Sequence, residues 1–135
     1  MGPKGAGLVK LKHLFIIHAL FVFVNGCALV LAPKLYLSPF GISLDATSIF
    51  LAQMYGVANL ACSFVAWLAR NAPDSEARRA ILLAFCLSGL IGFVVTLVGQ
   101  LSGLMNALGW MVVVLYLVLW GIGYGYFYFV KPESA

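Results

Sequence analysis

The sequence predicts an all-α, polytopic membrane protein: four transmembrane helices in an antiparallel bundle, N-in/C-in, forming one domain over residues 1–135. Three observations predict it. Of the residues, 64% are hydrophobic and 9% charged, with a mean hydropathy of +1.06, whereas a soluble domain carries roughly a quarter charged residues. Four apolar runs reach the length of about 20 residues that a helix needs to cross a hydrocarbon core of ~30 Å. The basic residues fall on alternate loops. So little charge cannot coat a soluble core, which excludes a soluble enzyme, a disordered tail and a nucleic-acid module.

The first helix is expected over His13–Ala32, after a flexible Gly2–Gly7 leader and the lysines Lys4, Lys10 and Lys12. Lysines before an apolar run also describe a signal peptide, and Val24-Asn25-Gly26-Cys27 loosely fits a lipoprotein cleavage box. Asn25 is a poor residue there and the run continues past Cys27, so the segment is read as a retained helix. Pro33, Pro39, Gly41 and Asp45 then break the chain, while the aromatic Leu35–Phe40 stretch suits the membrane interface. Asp45 is placed to cap a second helix over Ile49–Ala69, because its carboxylate can satisfy orphan N–H groups.

Residues 70–79 form the most charged stretch, in which Asp74 or Ser75 caps a third helix over Ala80–Leu101. Gly99–Gly103 reads as a tight uncharged turn, which makes a close hairpin with a fourth helix over Met105–Val130. Trp120, Tyr124, Tyr126 and Tyr128 are expected in an aromatic belt at one boundary with Trp67, and Trp110 at the other. Seven Lys and Arg lie on the side of the termini and the middle loop, against Lys34 alone on the opposite side. The positive-inside rule therefore places both termini in the cytoplasm.

No Asp, Glu, Lys or Arg lies in the centre of any expected helix. Pumps, ion-coupled transporters and intramembrane acid–base enzymes need ionisable groups at depth, so the chain is read as no enzyme, with no catalytic residue. The candidate ligand-binding set is His18, Asn25, Gln53 and Asn59. His18 and Asn25, seven residues apart, share a helix face. The sequence requires no cofactor; a lipid, quinone or pigment would be held at His18, whose alternative role is a hydrogen bond to a carbonyl, Asn59 or Gln53. Bis-histidine haem is excluded for want of a second deep histidine. Cys27, Cys62 and Cys86 lack metal-ligand spacing and form no disulfide framework.

Small and polar residues line three stripes expected to pack helices: Gly56 and Ser63; Ser88, Gly92 and Thr96; Gly121 and Gly125. Lys34, Tyr36, Asp45, Gln100, Ser102 and Asn106 gather polar groups at the outer surface, where they line a shallow pocket or satisfy helix ends.

The segments His18-Ala19-Leu20, Asn25-Gly26, Ala32-Pro33, Phe40-Gly41, Ala66–Ser75, Ala77–Leu83, Gly99–Gly103 and Asn106–Trp110 span most of the chain. In combination they resemble an uncharacterised family of small bacterial four-helix integral membrane proteins, distantly DoxX-like. That resemblance implies a four-helix fold in a bacterial inner (cytoplasmic) membrane and implies no reaction. The expected function is a non-enzymatic accessory or assembly subunit, with membrane lipids and other transmembrane subunits or a homo-oligomer as partners and no nucleic acid. The alternative is a stand-alone binder or carrier of an apolar small molecule within the bundle.

Overall fold

The computed structural model describes residues 10–130. The Gly2–Gly7 leader, Lys4 and Lys131 lie outside the described residues. The architecture is all-α: α1 (Leu11–Leu31), the short α2 (Pro33–Leu37), α3 (Ala46–Ala69), α4 (Glu76–Leu101) and α5 (Gly109–Val130). Four of them, α1, α3, α4 and α5, are long and apolar enough to cross a membrane, so the chain is an integral membrane protein by the length and composition of its helices.

Local chemistry sets the helix ends. Pro33 follows Ala32, whose extended φ of −147° stops α1, and Pro33 itself opens α2 at a position where its missing N–H is harmless. A 3-10 turn, Ser38–Phe40, ends on Gly41 at φ 78°, a left-handed conformation that glycine adopts without a Cβ clash. Asp45 caps α3 as expected, accepting from the Ser48 N–H at 2.7 Å, so the helix begins at Ala46, three residues ahead of the expected start. Ser75 rather than Asp74 caps α4, accepting from the Arg78 N–H at 3.2 Å; Arg78 and Arg79 thereby join the first turns of the helix.

The expected Gly99–Gly103 turn is displaced. α4 runs on to Leu101 and the connection occupies residues 102–108, because Asn106 makes its own turn, its Oδ1 accepting from the Leu108 N–H at 2.9 Å. α5 starts as α-helix over Gly109–Leu115 and widens to π-helix over Tyr116–Gly123 and Tyr126–Val130. Such wide turns are rare and cluster at functional positions.

Two intimate pairs form, α1 with α3 and α4 with α5. Gly26 and Gly56 face each other so closely that a Cβ on either would stand 2.9 Å from the carbonyl oxygen of the other. Ser63 Oγ donates to the Ala19 carbonyl at 2.8 Å and Gln53 Nε2 to the Val30 carbonyl at 3.0 Å. On the other pair, a Cβ at Gly89 would lie 2.4 Å from Trp120 Cβ and 2.6 Å from the Gly121 nitrogen, and one at Gly92 would meet the Tyr116 ring at 2.4 Å. The pairs join where Leu14, Phe15, His18, Phe85, Trp120 and Tyr124 form the core. Most other large apolar side chains on the long helices face outward, as lipid contact requires.

Candidate ligand cavity and the His18 cluster

His18 is buried on α1 and meets two aromatic side chains of α5. The Trp120 indole N–H donates to Nε2 at 2.9 Å, and Nδ1 lies 2.6 Å from the Tyr124 hydroxyl. Indole only donates, so Nε2 must carry the lone pair; the neutral ring is therefore protonated on Nδ1 and donates to Tyr124. Phe85 packs edge-on against the imidazole with centroids 4.4 Å apart. Both ring nitrogens are engaged, leaving no lone pair for an axial bond to haem or pigment. Nor does His18 reach Asn59 or Gln53: its partners lie on the helix most distant in sequence. Trp120 and Tyr124 are correspondingly buried, and so leave the boundary belt, whereas Tyr126, Trp67 and Trp110 remain exposed.

Beyond Trp120 lies a cavity of about 720 Å³, at the end of the molecule where α2 and the 102–108 connection sit. Its walls are apolar: Phe21, Val22 and Leu29 from α1, Leu37, Phe40 and Ile42 after it, and Met105, Leu108, Met111, Val112, Leu115 and Trp120 from the last third of the chain. The volume lies within the range of about 300–1,000 Å³ typical of small-molecule sites. No charged side chain lines it.

Five polar side chains interrupt the apolar wall. Asn25 accepts a short hydrogen bond from the Tyr36 hydroxyl and donates back to the Phe21 carbonyl at 2.8 Å. Burial, with Tyr55 adding to it, pushes the Tyr36 hydroxyl above its ordinary range, which keeps it a neutral donor. Tyr55 and Tyr116 pair hydroxyl to hydroxyl across α3 and α5. Asn59, one turn beyond Tyr55, lines the cavity and makes no hydrogen bond among the described residues.

Of the four residues singled out in the sequence, Asn25 and Asn59 thus share the cavity wall. Gln53 is spent on the Val30 carbonyl, and His18 stands behind Trp120. Tyr36, one of the outer polar groups expected to line a shallow pocket, joins this wall, whereas Tyr55, Tyr116 and Trp120 were not singled out as ligand contacts, although Ala52, Tyr55 and Asn59 follow the three-four spacing of one helix face. The packing stripes also resolve: Gly56, Ser63, Gly92, Gly121 and Gly125 contact neighbouring helices, Thr96 Oγ1 bonds the Gly92 carbonyl at 2.7 Å, and Ser88 lies exposed with its hydroxyl on Phe85. Among the outer polar groups, Gln100 Nε2 donates to the Asn106 carbonyl at 3.1 Å, and Asn106 Nδ2 donates to the Pro39 carbonyl at 2.7 Å.

A second, smaller pocket of about 300 Å³ lies at the opposite end, lined by Leu11, Asp74, Arg78, Arg79, Leu82, Phe127 and Tyr128. There Arg79 grips Asp74 at 2.8 and 3.2 Å, and Arg78 Nη1 donates to the Ala72 carbonyl at 3.1 Å. Arg70 covers the Trp67 ring at 3.9 Å. Among the described residues no group of three or more His, Cys, Asp or Glu could hold a metal ion.

No curated protein and no solved structure matches the chain. A family model described as a domain of unknown function (DUF8292) matches residues 16–133, a span that contains every residue of the large cavity, and the chain belongs to that family.

Proposed function

We propose that this protein is a non-enzymatic membrane protein that holds an apolar small molecule of the membrane, a lipid, quinone or pigment, in the cavity between α1, α3 and α5. One observation carries the reading: an apolar cavity of about 720 Å³ has in its wall the Asn59 amide, which has no hydrogen-bond partner among the described residues. A polar group at membrane depth without a hydrogen bond is costly, and an occupant that bonds it relieves that cost. The accessory-subunit reading required a glycine stripe left over for a partner. Gly89, Gly92, Gly121 and Gly125 instead meet side chains or backbone of the adjacent helix, so ligand binding takes precedence.

The bundle is read as antiparallel with both termini cytoplasmic. Pairings of Ala19 with Ser63 and Val30 with Gln53, and of Gly89 with Trp120 and Gly92 with Tyr116, support the first half of that reading. Clustering of Arg70, Arg78 and Arg79 on the α3–α4 connection and the start of α4 supports the second. The cavity then opens toward the non-cytoplasmic leaflet of what the family resemblance implies is a bacterial inner membrane.

The test is purification in mild detergent followed by solvent extraction and mass spectrometry, with Ala52→Trp as the blocked form. We expect an apolar molecule to leave with the unmodified protein and to be depleted from the variant. Equal recovery from both would overturn the reading.

A further inference from the structure

We infer that the occupant of the large cavity is an uncharged amphiphile whose carbonyl oxygen is bound by Asn59 and the Tyr55–Tyr116 pair; this rests on the cavity reading above and specifies its ligand. The inference follows from counting protons. Two phenol hydroxyls bonded to each other have two hydrogens and use one between them. The second hydrogen is left to donate to a third group. One turn along α3, Asn59 adds two N–H donors and a carbonyl acceptor, none of them used among the described residues. Asn25 and Tyr36, the other polar pair in the wall, spend the Tyr36 hydrogen and one of the two Asn25 N–H groups on each other and the Phe21 carbonyl, which leaves one N–H. Three of the four free hydrogens in the wall therefore lie on adjacent turns of α3 and the facing residue of α5.

Three free hydrogens gathered there call for an acceptor oxygen on the occupant. Two other features narrow its chemistry. The wall has no Lys, Arg, His, Asp or Glu, so a phosphate or ammonium head placed there would lose its hydration without a counter-charge. The remaining lining is aliphatic, thioether and aromatic, which suits a hydrocarbon body. A carbonyl joined to an apolar body is common to prenylated quinones and to neutral acylglycerol esters. Charged phospholipids share the chains but not the head.

The experiment is intrinsic fluorescence on the full chain in detergent micelles, with the two exposed indoles removed as Trp67→Phe and Trp110→Phe so that Trp120, itself in the cavity wall, reports alone. Three probes are titrated: decylbenzoquinone, a dibrominated diacylglycerol and a dibrominated phosphatidylglycerol with the same chains. Saturable quenching by the quinone or the diacylglycerol is expected, and which of the two quenches identifies the source of the carbonyl. The phosphatidylglycerol should give only a linear, non-saturating response. Asn59→Leu, and separately Tyr116→Phe, which keeps the ring stacked on Trp120, should each weaken binding about tenfold, the effect of removing one buried hydrogen-bonding group. Saturable quenching that survives both substitutions, or that the charged lipid matches, overturns the assigned head and leaves the cavity reading standing. No saturable quenching by any probe overturns both.

Discussion

His18 and Trp120, 102 residues apart in the chain, are joined by a hydrogen bond of 2.9 Å from the indole N–H to Nε2. With Tyr124 on the other nitrogen, this bond fixes the imidazole tautomer and ties the first long helix to the last. It also links the core to the large cavity, because Trp120 forms part of the cavity wall as well.

Replacing His18 with leucine keeps the volume but leaves the Trp120 N–H and the Tyr124 hydroxyl without that partner. Orphaned buried groups cost about 1–3 kcal/mol, and hydrogen bonds between membrane helices fall at the lower end of that range. His18→Leu should therefore lower the free energy of unfolding in detergent by about 1 kcal/mol and move the midpoint down with it, with a loss of Trp120 immobilisation seen in fluorescence anisotropy. An unchanged midpoint would show that the cluster is held by packing alone.

Two glycines of α4 should respond in opposite directions. At Gly89 an added Cβ collides with the backbone of α5 at 2.6 Å, which cannot yield without separating the helices. Gly89→Ala should destabilise the protein by about 3 kcal/mol, the upper range for overpacking. At Gly99 an added Cβ meets, among the described residues, Leu104 Cδ1 alone at 3.8 Å, an ordinary contact. Gly99→Ala should then gain up to about 1 kcal/mol from helix propensity. Unfolding in a graded detergent mixture reads both.

Acid should weaken the polar ends of the bundle. Asp45 is held below the usual carboxylate range by its hydrogen bonds to Ser48, and Asp74 by its hydrogen bonds from Arg79 and the charge of that guanidinium. A folded-state value below the unfolded one means stability that is complete above about pH 4 and is lost as pH falls through the lowered folded value. Stability measured from pH 6 down to pH 2.5 should decline at the acid end. Asp45→Asn, which retains a capping side chain, should flatten part of that decline. A profile identical in the variant would remove Asp45 from the account.

Orientation can be read by labelling. In a background lacking Cys27, Cys62 and Cys86, Asn71→Cys should be shielded from a membrane-impermeant maleimide in intact cells and become labelled after permeabilisation. Ser102→Cys should be labelled in intact cells. The reverse pattern would invert the topology.

Much of the helical framework was legible because membrane helices announce themselves through composition and their caps through short polar side chains. Asp45 and Ser75 act within three residues of their own position, and sequence reasoning reaches that far. The early turns of α4 were missed because Arg78 and Arg79 look like loop residues until Ser75 is seen to cap the helix they enter. The partners of His18 were not legible, since nothing local specifies which of three other helices faces it. Asn25 and Asn59 could be found as isolated polar residues in apolar runs. Tyr55 and Tyr116 could not, because a tyrosine near a helix end reads equally well as an interface anchor until its hydroxyl is seen to meet another one across the bundle.

The order of the pairings has a consequence for how the chain is assembled during synthesis. α1 and α3 are separated by a connection of only 14 residues, α2 included, and bury Gly26 against Gly56 without help from anything downstream. α4 and α5 likewise complete each other. The bonds from His18 to Trp120 and Tyr124 wait until α5 has left the ribosome, since folding during synthesis proceeds from the N-terminal side. Until then His18 is an unsatisfied polar group in an inserted helix, and the cavity lacks its α5 wall. The cavity is thus closed only when α5 packs against the earlier helices, so a chain truncated before residue 120 keeps the α1–α3 pair and lacks a closed cavity.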